Sequence, residues 1–178
     1  MRTLAAALVL FFATSLAAQA PNKPTTPVTL KSLLLQQLRE SHNQKNWFVS
    51  GKEAMEGLTP EQSAWTDGKN HSVGQLVQHL VFWNHRVAVQ FKGEKPTEAP
   101  SDNNETFKYD PKQWTTLVKQ FDDDMTEIEK AVESASDADL QKMAPTAARV
   151  AQHNAYHIGE IVMVRKAQGS WNPENGVK

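Results

Sequence analysis

The chain of 178 residues carries 19 basic and 20 acidic residues, so its net charge at pH 7 is −1 when the histidines are neutral. Nothing in this balance resembles the basic stripe that nucleic-acid binding requires. The sequence contains no cysteine, which excludes thiolate ligands, a cysteine nucleophile and disulfide bonds and leaves histidines, carboxylates, hydroxyls or a metal ion for any chemistry.

The first twenty residues have the three-part layout of a secretory signal peptide. One positive charge at Arg2 precedes an apolar run from Leu4 to Ala13, and a small-residue cleavage motif ends at Ala20. The apolar run has about ten residues, whereas a transmembrane helix needs about 20. We therefore expect removal of residues 1–20 and export to the periplasm or the cell exterior without a membrane anchor. An uncleaved anchor is the alternative.

Removal of the signal peptide leaves 158 residues (178 − 20), enough for one domain with its own core. The net charge then becomes −2, because the removed segment contains one basic residue and no acidic residue. Residues 21–28 are predicted to form a loose proline-rich leader, residues 29–171 the domain and residues 172–178 a tail.

The domain opens with a predicted amphipathic helix that begins near Thr29 and ends between residues 42 and 46. Its apolar face follows from leucines at helical spacing: Leu30, Leu33, Leu34 and Leu38. The stretch 47–71 is less regular and should form one or two short turns. One of them is expected after Thr59 as cap, with Pro60 in the first helical position.

The second long helix is predicted from Ser72, a suitable N-cap, to about Lys92. The connection that follows, residues 93–110, is long for a compact domain, and such connections are typically crossovers, lids or disordered segments. A crossover fits if the second and third long helices run parallel, because the chain must then return along the domain. This connection is also a candidate for the rim of a pocket.

The third long helix has the clearest start signal, with Asp110 as cap, Pro111 in the first position and Gln113 in the third. The fourth long helix is predicted to open near Pro145 and to stop before Gly169. No strand-like alternation interrupts this pattern. An all-α domain with four helices around one core is therefore the simplest architecture.

Two histidines four residues apart, His153 and His157, lie on one side of the fourth helix at the border of its apolar face. This spacing lets two imidazoles bind one ion, as in the HExxH motif of zinc proteases. Asn154 occupies the place of that motif's glutamate, so the protease interpretation fails. Glu160 lies on the side of His157 and is a candidate catalytic base, fourth ligand or ring-orienting partner. An exposed carboxylate without a role is the alternative.

A third ligand is expected on the second helix, where His79 and His85 are six residues apart and face different neighbours. Only one of them can face the fourth helix. His79 shares a partly buried side with Trp83, so we select His79 and keep His42 on the first helix in reserve. The alternative is that these histidines are ordinary helix-interface residues with hydrogen-bonded partners.

Three motifs together resemble the DinB-like superfamily of metal-binding four-helix bundles. They are GLTPEQSAW at residues 57–65, HSVGQLVQHLVFW at 71–83 and HNAYHIGEIVMVRKAQGSW at 153–171. Their order and spacing extend the resemblance over essentially the whole domain. The resemblance implies an up-down-down-up four-helix bundle with a long crossover between the second and third helices.

The resemblance also implies a divalent metal ion held by His79, His153 and His157. Glu160 departs from the glutamine often found at its position in the family, which leaves its role open. Asn154 and Tyr156 join Glu160 as neighbours that are candidates to orient the rings. Homodimerisation is an expectation that comes from the family alone.

Three neutral imidazoles leave coordination positions open, which is the pattern of catalytic rather than structural zinc sites. We therefore expect an exported protein that binds Zn, Ni, Mn or Fe and acts on an unidentified small molecule as a metal-dependent hydrolase or transferase. The alternative, from a different class, is a non-catalytic helical bundle that binds a ligand or a partner.

Overall fold

The computed structural model describes residues 27–176 of the chain. Within this range the fold is all-α, as predicted, with six α-helices and no β-strand. The helices are α1 (Leu30–His42), α2 (Gly51–Met55), α3 (Pro60–Ala64), α4 (Val73–Phe91), α5 (Trp114–Ser134) and α6 (Asp137–Gln168). Three 3₁₀ turns complete the regular structure: Asn103–Phe107, Pro111–Gln113 and Pro173–Asn175.

Several predicted segments lie outside the described residues. They are the signal peptide at residues 1–20, residues 21–26 of the leader and residues 177–178 of the tail. The signal peptide and export therefore stay predictions. Between residues 27 and 176, no helix has both the length and the apolar character that crossing a membrane requires.

The starts of four helices follow from side chains that cap them. In each case the hydroxyl of the cap accepts a hydrogen bond from the backbone N–H three residues later, and the side chain of that later residue accepts one from the cap's own N–H. The four caps are Thr29, Ser50, Thr59 and Ser72. Such capping boxes satisfy backbone donors that a helix otherwise leaves unpaired at its start. The predicted starts at Thr29, Thr59 and Ser72 are thereby confirmed.

The start of α5 lies slightly later than predicted. The carboxylate of Asp110 accepts from the N–H of Lys112, only two residues on, at 3.0 Å. This bond caps the 3₁₀ turn Pro111–Gln113, and the α-helix begins after the turn, at Trp114. Asp110 and Pro111 are therefore the cap and the first residue of the tighter turn and not of the α-helix.

The prediction that the fourth long helix opens near Pro145 is wrong. α6 begins eight residues earlier (145 − 137), where Ser136 caps it by accepting from the N–H of Asp139 at 3.2 Å. Proline inside a helix costs about 3 kcal/mol, because it lacks an N–H and its ring crowds the preceding turn. Burial of Leu140 in the core stabilises the turns ahead of the proline and offsets that cost. The predicted end is confirmed, since Gly169 terminates α6 at φ +80°.

The four long helices α1, α4, α5 and α6 share one hydrophobic core. α4 packs most extensively against α5 and α1 against α6, and the α4–α6 and α1–α5 interfaces connect these pairs. The largest fully buried apolar side chains come from all four helices: Leu38, Leu80, Phe121, Met125, Ile128, Ile158 and Ile161. The α4–α6 interface contains His79, His153 and His157.

The connection between α4 and α5 packs against the helices on either side of it. Its 3₁₀ turn Asn103–Phe107 contacts α4 and buries Thr106. The hydroxyl of Tyr109 is hydrogen-bonded to that of Ser63 in α3. Gly74 makes room for the Tyr109 ring, since a Cβ at this position would lie 2.0 Å from the nearest ring atom. The connection is therefore docked onto α4 by specific contacts.

Candidate metal centre

The structure brings together the three histidines that the sequence analysis selected. One ring nitrogen of each lies within 4.8 Å of the others. Nε2 of His153 lies 3.1 Å from Nε2 of His79 and 3.1 Å from Nε2 of His157. Tetrahedral zinc with Zn–N bonds of about 2.0–2.1 Å would separate two ligand nitrogens by about 3.3 Å. The spacing of the rings therefore fits a single shared ion.

The two helices determine which parts of this cluster are accessible. His153 and His157 are one turn apart on α6, so their rings project from the same face toward α4. His79 extends from α4 and is 3% exposed, and His157 is 7% exposed. His153 is only partly buried. The cluster therefore has two covered histidines and one histidine at its more accessible edge.

A hydrogen bond from the α4–α5 connection fixes the orientation and tautomer of His79. The Thr106 hydroxyl donates its single hydrogen to the carbonyl oxygen of Asn103 at 2.6 Å. The hydroxyl oxygen also lies 2.6 Å from Nδ1 of His79, and it therefore accepts a hydrogen bond from Nδ1–H. The proton then resides on Nδ1, and Nε2 presents a lone pair toward the other rings.

Glu160 has the same effect on His157. Its Oε2 lies 2.6 Å from Nδ1 of His157, three residues earlier on α6. A carboxylate can only accept, so Nδ1 carries the proton and Nε2 again presents a lone pair. Carboxylate–histidine pairs of this kind are a common feature of zinc sites, where the carboxylate orients the ring and raises its basicity.

These two tautomers leave too few protons for the nitrogens that meet at the centre. Nε2 of His79 and Nε2 of His157 are both acceptors, and each faces Nε2 of His153. A proton on His153 could satisfy only one of them, since one N–H makes one linear hydrogen bond. A cation that accepts all three lone pairs satisfies the whole set. The donor set therefore fits a divalent ion better than a network of hydrogen bonds.

The electrostatics of the cluster keep the rings of His79 and His153 neutral. Burial, followed by the neighbouring rings of the cluster, lowers the pKa of His79 from 6.5 to about 3. Burial and the adjacent ring of His157 lower the pKa of His153 to about 4. Both rings are therefore neutral at pH 7, which is the form in which imidazole binds a metal ion.

An aromatic stack covers one side of the cluster. The ring of Phe107 lies parallel to the ring of His79, with centroids 4.1 Å apart. It also lies parallel to the ring of His71, again with a centroid distance of 4.1 Å. Phe107 belongs to the same 3₁₀ turn as Thr106. This turn therefore contributes both the hydrogen bond and the apolar cover of His79.

Two surface cavities adjoin the centre. One, of about 420 Å³ between α4 and α6, is lined by His153 but by neither of the other two ligand candidates. The other, of about 870 Å³, is lined by Glu160, His71 and Tyr156 and touches none of the three. The smaller cavity is therefore the one through which a molecule from solvent reaches the exposed edge of the cluster.

The other histidines considered from sequence have carboxylate partners elsewhere. Nδ1 of His42, the reserve candidate, lies 2.7 Å from Glu129, and its Nε2 lies 2.9 Å from Asp122. Nδ1 of His85 lies 2.9 Å from Asp124. Neither belongs to the cluster that, among residues 27–176, could hold an ion.

Thr106 was not predicted from sequence, and the two neighbours Asn154 and Tyr156 that were predicted to orient the rings do not do so by hydrogen bonds. Asn154 is buried and donates to Sδ of Met125 at 3.1 Å. Tyr156 is 64% exposed and meets His157 only through an edge-on ring contact at 5.0 Å. Thr106 is 27 residues from its partner His79, within a connection that has no periodic pattern. No sequence signal pairs these two residues.

Comparison with known protein families gives a match that covers most of the domain. A family model described as the DinB superfamily matches residues 52–161, more than half of the chain. The match contains all three histidines of the cluster. No curated protein and no solved structure matches the chain.

Proposed function

This chain belongs to the DinB superfamily, and from that premise we propose that it binds a divalent metal ion through Nε2 of His79, His153 and His157. The observation that carries the proposal is the convergence of three imidazole nitrogens, two of them held as lone-pair donors by Thr106 and Glu160. Zn, Ni and Fe suit an all-imidazole set better than Mn, which prefers oxygen ligands.

We further propose that the four long helices have the up-down-down-up arrangement implied by the family resemblance. Contacts between α1 and α5 support opposite directions for these two helices. Lys31 near the start of α1 donates to the carbonyl oxygen of Ala135, just after α5, whereas His42 at the end of α1 bonds to the earlier Asp122.

Contacts of α4 support the remaining directions. The pairs His85–Asp124 and Lys92–Glu127 advance together along α4 and α5, as in parallel helices. The direction reverses between α4 and α6. The α4 histidine of the cluster lies beside residues 153 and 157 of α6, whereas later residues of α4 line a cavity with the earlier residues 146–150 of α6. Parallel α4 and α5 account for the long connection between them.

Three neutral protein ligands support an open rather than a closed site, because structural zinc sites have four protein ligands. When bound, the ion supplies Lewis acidity at its remaining positions. The chain's own residues hold the rings in place, keep Nδ1 of His79 and His157 protonated, and shield His79 from water with Phe107. This arrangement supports a metal-dependent hydrolase or transferase.

A second candidate, a non-catalytic metal-dependent ligand-binding protein, is favoured by one specific observation. Within residues 27–176, no carboxylate lines the cavity beside His153. The catalytic role predicted for Glu160 stays a prediction, and its bond to Nδ1 of His157 supports a positioning role instead. Turnover would then need a base that the substrate or solvent provides.

Elemental analysis of the purified protein tests the metal proposal. We expect one Zn, Ni or Fe ion per chain in the wild type and none in His157→Ala. His85→Ala is the matched control, because it removes a half-exposed histidine that lies on α4 but outside the cluster. Equal metal content in wild type and His157→Ala would overturn the proposal.

A further inference from the structure

The cavity between α4 and α6 has walls of two kinds. Three side chains give it an apolar surface: Trp83, Val87 and Val150. Four side chains give it polar groups: Asn84, Thr146, Arg149 and His153. The volume of about 420 Å³ lies within the range of small-molecule sites, which combine apolar walls with a few polar groups.

The charge of this cavity has one sign. Arg149 is the only formally charged side chain that lines it, and no Asp or Glu among the described residues does so. Across residues 27–176 the guanidinium of Arg149 has no ion pair with a carboxylate. A second guanidinium, that of Arg86, lies 5.7 Å from the ring centroid of Trp83 and adds positive charge near that wall. The cavity is therefore complementary to an anion.

Asn84 provides a second, independent indication that the cavity takes a polar group. The residue is 1% exposed, and neither atom of its side-chain amide has a hydrogen-bond partner in the described part of the chain. A buried polar group without a partner destabilises the fold, because it has lost its hydrogen bonds to water. A ligand with polar atoms at this wall of the cavity would offset that cost.

We propose that this cavity binds a small organic carboxylate, with the carboxylate group at Arg149 and an aromatic or alkyl body against Trp83 and Val87. Guanidinium binds carboxylate through two parallel hydrogen bonds, and aromatic and branched side chains cover an apolar body. The same cavity is lined by His153, so the bound molecule lies at the exposed edge of the metal centre. The inference rests on the proposed metal function and assigns the substrate class of that site.

Calorimetric titration of the zinc-loaded full chain with benzoate tests this assignment. We expect one binding site in the wild type. In Arg149→Gln the affinity should decrease by at least about tenfold, because one charge-assisted interaction is removed. Arg149→Lys should be intermediate, since it keeps the charge but loses the paired hydrogen bonds. Benzamide, which has the same shape without the charge, should bind more weakly than benzoate.

Two controls separate this inference from the metal proposal. Lys142→Gln also removes one exposed positive charge from α6, outside the cavity, and should leave benzoate affinity unchanged. Val87→Phe fills the cavity and should abolish benzoate binding while zinc content stays at one ion per chain. Absence of zinc from the wild type would refute the metal proposal instead. With zinc present, equal benzoate affinity in wild type and Arg149→Gln, or no benzoate binding at all, would overturn the carboxylate assignment.

Discussion

At the scale of single residues, two hydrogen bonds decide what the histidine cluster can do. Thr106 and Glu160 each accept from an Nδ1–H, and both bonds direct an Nε2 lone pair inward. The three histidines were predictable, because helical spacing and the family resemblance both select them. Thr106 was not, because its position depends on how an aperiodic connection docks onto α4. The histidines of the cluster were thus predictable from sequence, whereas one of the two groups that orient them required the structure.

Replacement of Thr106 tests whether its hydroxyl supports the metal site. Thr106→Val preserves the shape of the side chain but leaves Nδ1–H of His79 buried without an acceptor. We expect zinc affinity to fall about 10- to 100-fold, the usual effect of losing a hydrogen bond to a ligating histidine. Thr106→Ser keeps the acceptor and should remain within a few-fold of wild type. Competition with a chromophoric chelator at pH 7 measures both, and equal affinities would contradict the role of Thr106.

The lowered pKa of His79 predicts an acid-sensitive metal-free protein. The folded-state pKa of about 3 lies below the ordinary value of 6.5, so the unfolded chain binds a proton that the folded chain does not. Between these two values, stability falls as pH decreases. We expect wild-type stability relative to His79→Gln to decline from pH 7 to pH 4 in urea unfolding with a chelator present. A difference that stays flat over this range would contradict the burial of a neutral ring.

At the scale of elements, caps and close contacts set the helices and the connection between α4 and α5. The capping residues of α1, α3 and α4 predicted their starts directly, since a cap acts within three residues of itself. The start of α6 has a local cap too, since Ser136 accepts from the N–H of Asp139. The prediction placed the start later because Pro145 is a normal first-turn residue, whereas in the structure the helix continues through it and Leu140 is buried ahead of it. Local signals therefore located the helix starts except where a proline competed with a cap.

Two glycine substitutions test the docking of the connection onto α4. Alanine normally stabilises a helix interior by about 1 kcal/mol relative to glycine. At Gly74 the new Cβ would lie 2.0 Å from the Tyr109 ring, so we expect net destabilisation of about 1–3 kcal/mol from overpacking. At Gly159 such a Cβ would meet no atom within 4 Å beyond the adjacent residues and the nearby backbone of its own helix, so Gly159→Ala is the matched control and should stabilise the protein. Chemical denaturation measures both, and a stabilising Gly74→Ala would refute the close packing.

His42 connects α1 to α5 and predicts a pH dependence opposite to that of His79. Burial lowers its pKa, but hydrogen bonds to Glu129 and Asp122 outweigh burial and raise the pKa above 6.5. A raised folded-state pKa stabilises the protein below pH 6.5, and this stabilisation is lost as pH rises through the folded value. The stability of wild type relative to His42→Gln should therefore be largest near pH 6 and decrease toward higher pH. An advantage that grows with pH would contradict the ion-paired state.

At the scale of the whole molecule, the fold explains why the histidines of the cluster come from two helices that are distant in sequence. α4 and α6 contribute the histidines, and the connection after α4 returns to cover one of them. The all-α class and the four long helices were predictable from periodicity, because amphipathic helices must share a core. The shape of the cavity beside His153 was not, because it depends on how side chains from two helices meet. Folding thus brings together side chains from α4, α6 and the connection after α4 that are far apart in sequence.

Anomalous diffraction at the zinc edge, from crystals of the zinc-loaded protein, shows directly whether the three histidines bind one metal ion. We expect one peak about 2.0–2.1 Å from Nε2 of His79, His153 and His157, with the Thr106 and Glu160 hydrogen bonds intact. A stoichiometric zinc peak at any other place, or one bound through an Nδ1 atom of these histidines, would contradict this expectation.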